Sequence, residues 1–171
     1  MIVFDVNLLV AASRRDHPHH LAARPFVTRA LAHDDVIVPD AVWSGFLRIV
    51  TNRRIFRTPT PMDDAISFVR AVRGARRYRP IAGLVDGLDP FLSLITDSDA
   101  SGDLVPDAYI AAVALAHGCP VATFDRDFRR FDGLRIVTPS REESPRVQST
   151  RIDNYKEGGA GHARPAGIPA A

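Results

Sequence analysis

The chain has one cysteine, Cys119, which excludes an intramolecular disulfide and any zinc site built on cysteine pairs. Long apolar runs are missing as well. No stretch approaches the roughly 20 residues needed to cross a bilayer, and the opening Met1-Ile2-Val3-Phe4 is interrupted by Asp5 and Asn7 before reaching the length of a signal-peptide core. The expected location is the cytoplasm, with no membrane association. Lysine is almost absent, since Lys156 is the only one, so the 22 basic residues are nearly all arginine. The planar arginine fork matches phosphate oxygens, and such a surface suits nucleic acid better than the net charge of +2 alone suggests.

What is present is one domain's worth of core. A chain of 171 residues with 46% hydrophobic residues can bury a single α/β domain and is short for two. Ile2-Val3-Phe4 reads as a buried strand ended by small polar residues in Asp5-Val6-Asn7, a strand-to-helix turn before a short helix over 8–12. A turn at Asp16-His17-Pro18 precedes an amphipathic helix over 19–33, and Val36-Ile37-Val38 is a second strand. Asp40 is placed to cap a helix over 41–52. A basic loop over 53–61 leads to a helix over 62–73, then to an ambiguous Pro- and Gly-containing segment over 78–87. Helices over 89–96 and 104–117 follow, the latter ended by Gly118, with strands over 120–123 and 134–137. Alternating strands and helices predict an α/β fold with a mainly parallel sheet covered on both faces. The domain is expected over 1–140. Ser, Arg, Glu, Gly, Ala and Pro dominate 141–171, a composition that predicts a disordered or partner-ordered tail.

Aspartates stand after two of these strands and near the start of a helix. In an open parallel sheet the carboxyl ends of the strands form the binding crevice, so Asp5 and Asp125 would share one rim, with Asp107 projecting toward it. Close carboxylates repel one another unless a cation lies between them. Mg2+ or Mn2+ takes such oxygens and keeps coordinated water that can attack a phosphodiester. Thr123 is a candidate to orient a metal-bound water or ligand. Each residue also has a plainer reading: Asp5 as a helix cap, Asp107 as a first-turn acid favoured by the helix dipole, Asp125 and Asp127 as loop aspartates, Thr123 as a hydroxyl satisfying a strand end. His17, His19 and His20 are read as surface residues, because neighbours on a helix point apart. Trp43 is read as core or dimer interface.

Three blocks, Asp5-Val6-Asn7-Leu8-Leu9-Val10, Pro106-Asp107-Ala108-Tyr109-Ile110-Ala111-Ala112 and Thr123-Phe124-Asp125-Arg126-Asp127-Phe128, resemble in order and separation the recurring motifs of PIN-domain proteins. More narrowly they resemble VapC-type toxins of bacterial toxin-antitoxin pairs. The segment from Val42 to Asn52 is similar to a second block of a subgroup of these toxins, and Phe131-Asp132-Gly133-Leu134-Arg135 to their closing segment. The resemblance spans about residues 1–140. It implies a three-layer sandwich and a Mg2+- or Mn2+-dependent endoribonuclease whose metal is held by Asp5, Asp107 and Asp125, with Asp127 assisting. It also implies a homodimer and a VapB-type antitoxin partner, in a heterotetramer or larger assembly.

One position departs from the pattern. Where many relatives carry a glutamate, this chain has Gly45, and Asp103 or Asp40 are the carboxylates that could replace it. Asp103, one helical turn before Asp107, is the favoured replacement, against its plainer reading as a helix cap. Arg48, Arg53 and Arg54 lead the arginine cluster expected to contact RNA phosphates. Arg48 could instead pair beneath the acidic site. The loss at Gly45 supports an alternative, a non-catalytic RNA-binding or regulatory PIN module. A phosphatase with Asp5 as nucleophile is disfavoured because Asn7 stands where a second aspartate would be needed.

Overall fold

The computed structural model describes residues 1–81, 83–84 and 87–140. Strand β1 (Ile2–Phe4) is apolar throughout and fully enclosed, as a central parallel strand requires. Helices α1 (Val6–Ser13) and α2 (His20–His33) lead to β2 (Val36–Ile37), and α3 (Asp40–Val50) and α4 (Met62–Arg73) lead to β3 (Tyr78–Arg79). Then α5 (Asp89–Ser98) and α6 (Leu104–Ala116) precede β4 (Val121–Ala122), and a 3-10 turn (Asp127–Arg130) precedes β5 (Ile136–Val137).

All four strand pairings are parallel, in the order β3-β2-β1-β4-β5. From β1 the chain moves outward to β2 and β3, then returns across the sheet to β4 on the far side of β1. Parallel crossovers are right-handed. The reversal of direction therefore sends α1 to α4 to one face and α5 and α6 to the other, which makes the three-layer sandwich that was expected. The reversal also falls between β1 and β4. At such a point the two connections leave in opposite directions and open a crevice beyond the strand ends.

Phe4, Leu8, Leu9, Phe46, Val113 and Phe128 are fully buried and bring the layers into one core. Trp43 belongs to that core at 7% exposure, and its indole N–H points to the Tyr78 hydroxyl at 3.4 Å.

Several local expectations change. Helix α1 starts at Val6, so Asn7 lies inside the helix rather than in a turn. Asp40 is the first residue of α3, and Pro39 occupies the cap position. The ambiguous segment yields a short strand, β3, that neither periodicity nor length announces; it gains its pairing from β2 (Val36 opposite Tyr78, Ile37 opposite Arg79). Asp35 ties this edge further through Arg79 at 2.7 Å and Arg77 at 3.3 Å, so these two arginines are paired within the protein. The expectation of a disordered tail over 141–171 lies outside the described residues.

Candidate active site

Asp5 is the first residue past β1, and its N–H still donates to Ala122 O of β4 at 3.2 Å. Its side chain is 3% exposed. One carboxylate oxygen accepts from the Val6 N–H at 2.5 Å and the other from the Thr123 hydroxyl at 2.7 Å. Asp5 thus fulfils the capping role and still faces the crevice. Thr123, fully buried just after β4, is the hub of the loop. Its oxygen accepts from Asn7 Nδ2 at 3.0 Å and from the Asp125 N–H at 2.9 Å. Asn7 Oδ1 in turn accepts the Phe124 N–H at 3.1 Å, and Asp125 Oδ1 accepts the Asp127 N–H at 2.9 Å. Together these bonds latch the β4 exit loop onto the β1 exit. Placing Asn7 on the first turn of α1 is what lets one amide bridge both.

The crevice is a cleft of about 660 Å³. Asp5, Asp103, Asp107 and Asp125 line it, and Gly45 and Arg48 of α3 face them. Asp107, half-buried in the first turn of α6, has its pKa raised from 3.8 to about 7, first by burial and then by Asp5, Asp125, Asp127 and Asp103. Asp5 is raised to about 6, mainly by burial and further by Asp125, against the lowering effect of its Thr123 and Val6 hydrogen bonds. Ionising both acids together is unfavourable, and nearby positive charge would relieve it.

The predicted residues divide. Asp103 lines the cleft, and although it precedes α6 its side chain makes no capping bond. Asp40 is exposed and outside the cleft wall. Asp127 is exposed and contributes through its N–H to Asp125 and its charge on Asp107 rather than by lining the cleft. Arg48 is exposed on the wall, with no ion pair among the described residues. Arg53 and Arg54 are exposed on the loop beyond α3, away from the wall. The histidines form no three-membered cluster: the His17 and His19 rings lie 5.7 Å apart and His19 also stacks on Phe124 at 4.4 Å, while His20 Nδ1 turns to Ala11 O at 2.9 Å. At Gly45, a Cβ would meet Val6 Cγ2 at 3.1 Å, so the glycine lets α3 close onto α1 where a glutamate was expected.

Besides the bridging role of Asn7, sequence reasoning missed Arg14, Phe91 and Tyr109. Arg14 is only 8% exposed, pairs with Asp16 at 2.6 Å, donates to Thr60 Oγ1 and Thr58 O at 3.0 Å, and lies 3.7 Å over the Phe56 ring. It anchors the loop that carries Arg53 and Arg54, and nothing local distinguishes it from the exposed arginines. Phe91 and Tyr109 form an edge-to-face pair at 5.6 Å on the cleft wall. Tyr109 lies two residues from Asp107, a hint available in the sequence.

Among the described residues the acidic side presents the carboxylate oxygens of Asp5, Asp103, Asp107 and Asp125 with the Asn7 amide, and neither histidine nor cysteine lines the cleft. That chemistry fits a hard divalent cation that retains water. Among the described residues no three histidine, cysteine or acidic side chains already stand close enough to enclose a metal. The acids therefore form an open wall rather than a closed cage.

Comparison with known proteins agrees with the fold and the blocks. The PIN-domain profile matches residues 2–134. Ribonuclease VapC25 and ribonuclease VapC31 of Mycobacterium tuberculosis are each 46% identical over 140 residues, spanning 81% of this chain and 99% of theirs. VapC ribonuclease Mb2897 of Mycobacterium bovis is 41% identical over 144 residues, covering 81% and 95%. Among solved structures, VapBC2 from Rickettsia felis bound to a DNA fragment from their promoter superposes with a TM-score of 0.62 at 16% identity, covering 82% of this chain and 100% of the matched one. FitAcB from Neisseria gonorrhoeae gives 0.52 at 19% identity, covering 80% and 96%. The chain belongs to the PIN-domain family, in its branch of VapC ribonucleases.

Proposed function

We propose that this chain is the ribonuclease toxin of a VapBC-type toxin-antitoxin pair, cutting RNA endonucleolytically at the acidic cleft between β1 and β4. The observation that carries the reading is the convergence of Asp5, Asp107 and Asp125 on one cleft, with two of the carboxylates pushed well above their ordinary pKa. Asp5, Asp107 and Asp125 would hold Mg2+ or Mn2+, with Asp103 supplying the carboxylate that Gly45 does not. Such an ion, when bound, supplies a Lewis acid and an acidified water for phosphodiester hydrolysis.

The protein's own groups do the positioning. Thr123 fixes the Asp5 carboxylate, and Thr123 and Asn7 hold the backbone that carries Asp125, so little reorganisation is needed when substrate arrives. Arg48, across the cleft, can pair with a substrate phosphate, and Arg53 and Arg54 extend the positive surface along the strand. Asp127 shapes the Asp125 loop. The acids must be ionised to bind a cation, so metal affinity should rise with pH through 6 and 7.

Names of the relatives and of the VapBC2 complex support RNA as substrate and a VapB-type antitoxin as partner. A homodimer, joined with antitoxin in a heterotetramer or larger assembly, completes the proposal, as does a cytoplasmic location. Among the described residues no helix is long and apolar enough to cross a membrane. Gly45 and the open arrangement of acids favour one second reading, a PIN module that binds RNA without cutting it.

Incubating purified protein with RNA and Mn2+ or Mg2+ separates the two. Internal cleavage that disappears with chelator and in both Asp5→Asn and Asp107→Asn is expected. Undiminished cleavage by both variants overturns the assigned site, and salt-sensitive binding with no cleavage under any metal favours the second reading.

A further inference from the structure

The cleft has two chemically different sides. Beside the carboxylates, Val105 and Tyr109 of α6 stand one helical turn apart, and Phe91 of α5 meets the Tyr109 ring edge to face at 5.6 Å. Ile49 of α3 closes the wall opposite them. Phe91 and Tyr109 are only partly buried, although both pack against the core. Among the described residues the Tyr109 hydroxyl makes no hydrogen bond, and the Gly83 backbone runs beside it, where a Cβ would lie 3.6 Å away. Part of each ring therefore faces the cleft rather than the core.

We propose that Phe91 and Tyr109 form a subsite for an unpaired nucleobase of the RNA next to the phosphate held at the carboxylates, so that cleavage is directed to single-stranded positions. The inference rests on the ribonuclease reading. Aromatic rings bind unpaired bases by stacking, with little dependence on sequence. The Tyr109 hydroxyl adds a donor or acceptor for a base edge, which is a route to preference among bases. Arg48, on the same wall as the acids' opposite bank, is placed to hold the phosphate that links this base to its neighbour. The cleft volume of about 660 Å³ lies in the range that encloses a ligand of nucleotide size. A base in a continuous duplex cannot reach the rings, because its faces are covered by its stacked neighbours.

The test uses full-length protein and two single-stranded hexaribonucleotides, one complete and one carrying an abasic ribose, with the abasic position walked along the strand. Binding is measured by anisotropy in chelator and cleavage separately in Mn2+. Wild type is expected to bind the complete strand about tenfold more tightly than the strand abasic at one particular position. Phe91→Leu and Tyr109→Leu, which keep apolar volume, should lose that difference while binding the abasic strand as wild type does. Tyr109→Phe should keep the stacking and alter only the preference among bases. Wild type that binds complete and abasic strands equally at every position overturns the subsite and leaves the aromatic wall to a protein partner. Leucine variants that weaken both strands alike also overturn it, since the rings then act only in packing. Base-dependent binding without cleavage keeps the subsite and overturns the nuclease reading; cleavage with base-independent binding does the reverse.

Discussion

The two halves of the acidic wall are held in opposite ways. Asp5 and Asp125, at the exits of β1 and β4, sit in a closed set of hydrogen bonds through Thr123 and Asn7, with Thr123 fully buried. Asp103 and Asp107, at the start of α6, have no such support among the described residues: Asp103 makes no capping bond, and Asp5, Asp125, Asp127 and Asp103 all oppose ionisation of Asp107. The first half is preorganised by the sheet, and the second is held in place only by its helix. On the proposed reading this is a division of labour, in which the strand ends fix the position of the chemistry and α6 supplies charge that a cation can neutralise.

Replacing the acids breaks the comparison most severely. Asp5→Asn and Asp107→Asn should each lower metal-dependent cleavage by more than the roughly 10- to 100-fold typical of groups that merely support a metal ligand. The two variants should differ in stability. Asn at 107 removes a repelled charge and should raise the melting temperature of cation-free protein near pH 8, whereas Asn at 5 also disturbs the Thr123 bond. Calorimetry alongside an RNA cleavage assay measures both, and a fall in melting temperature for Asp107→Asn would contradict the electrostatic account.

Next in size is the latch. Thr123→Val keeps the shape but removes one donor and the acceptor for Asn7 and Asp125, leaving buried polar groups unpaired at a cost of about 1–3 kcal/mol. Cleavage should drop about 10- to 100-fold, with melting temperature falling in parallel. If cleavage falls while stability and metal affinity remain unchanged, Thr123 acts on substrate rather than on Asp5.

The pH dependence sharpens the contrast. Asp5 and Asp107 titrate near 6 and 7 in the folded chain against an ordinary 3.8 when unfolded, so between those values the native state holds more protons. Their contribution to stability is greatest below about pH 4 and is lost as pH rises through 6 and 7. Cation-free protein should therefore melt several degrees lower at pH 8 than at pH 5, and Mn2+ should flatten that slope. Asp16, paired with Arg14, is shifted downward, and its stabilising contribution falls away only at more acid pH, outside this window. A melting temperature that climbs from pH 5 to pH 8 in chelator would remove the repulsion from the explanation.

The smallest expected effect lies at the vacant glutamate position. Gly45→Ala gains about 0.5–1 kcal/mol of helix propensity but must push Val6, so its net stability change should be under about 1 kcal/mol. Combining it with Val6→Ala should reveal the propensity gain. A large loss in Gly45→Ala alone would show that α3 and α1 cannot separate at all. Asp103→Asn, if Asp103 replaces the missing glutamate, should weaken metal affinity several-fold without changing the fold.

Much of the molecule was readable because its signals are local. The apolar run before Asp5, the helix over 62–73 and the Gly118 stop all depend on residues adjacent in sequence, and Gly118 indeed has φ +59. The short strand β3 was not legible, because two residues gain strand geometry only by pairing with β2. The acidic set was legible through strand-end placement and family-like blocks. Its latch was not, since Asn7 and Thr123 are 116 residues apart and look like ordinary polar residues until the strands meet. Arginines divide in the same way: Arg14 is buried in structure, Arg77 and Arg79 are tied to Asp35, and Arg48 alone of the proposed RNA contacts reaches the cleft.

By itself, then, the sequence determined most of the alternation of elements, the family and which carboxylates were candidates for the site, because each is carried by residue type and near-neighbour spacing. Only the tertiary structure decided which acids share a cleft, which arginines remain free, and that an aromatic wall stands beside the acidic one. Those properties depend on the chain's return from β3 across β1 to β4, a crossing that joins distant segments and has no signature in any one of them.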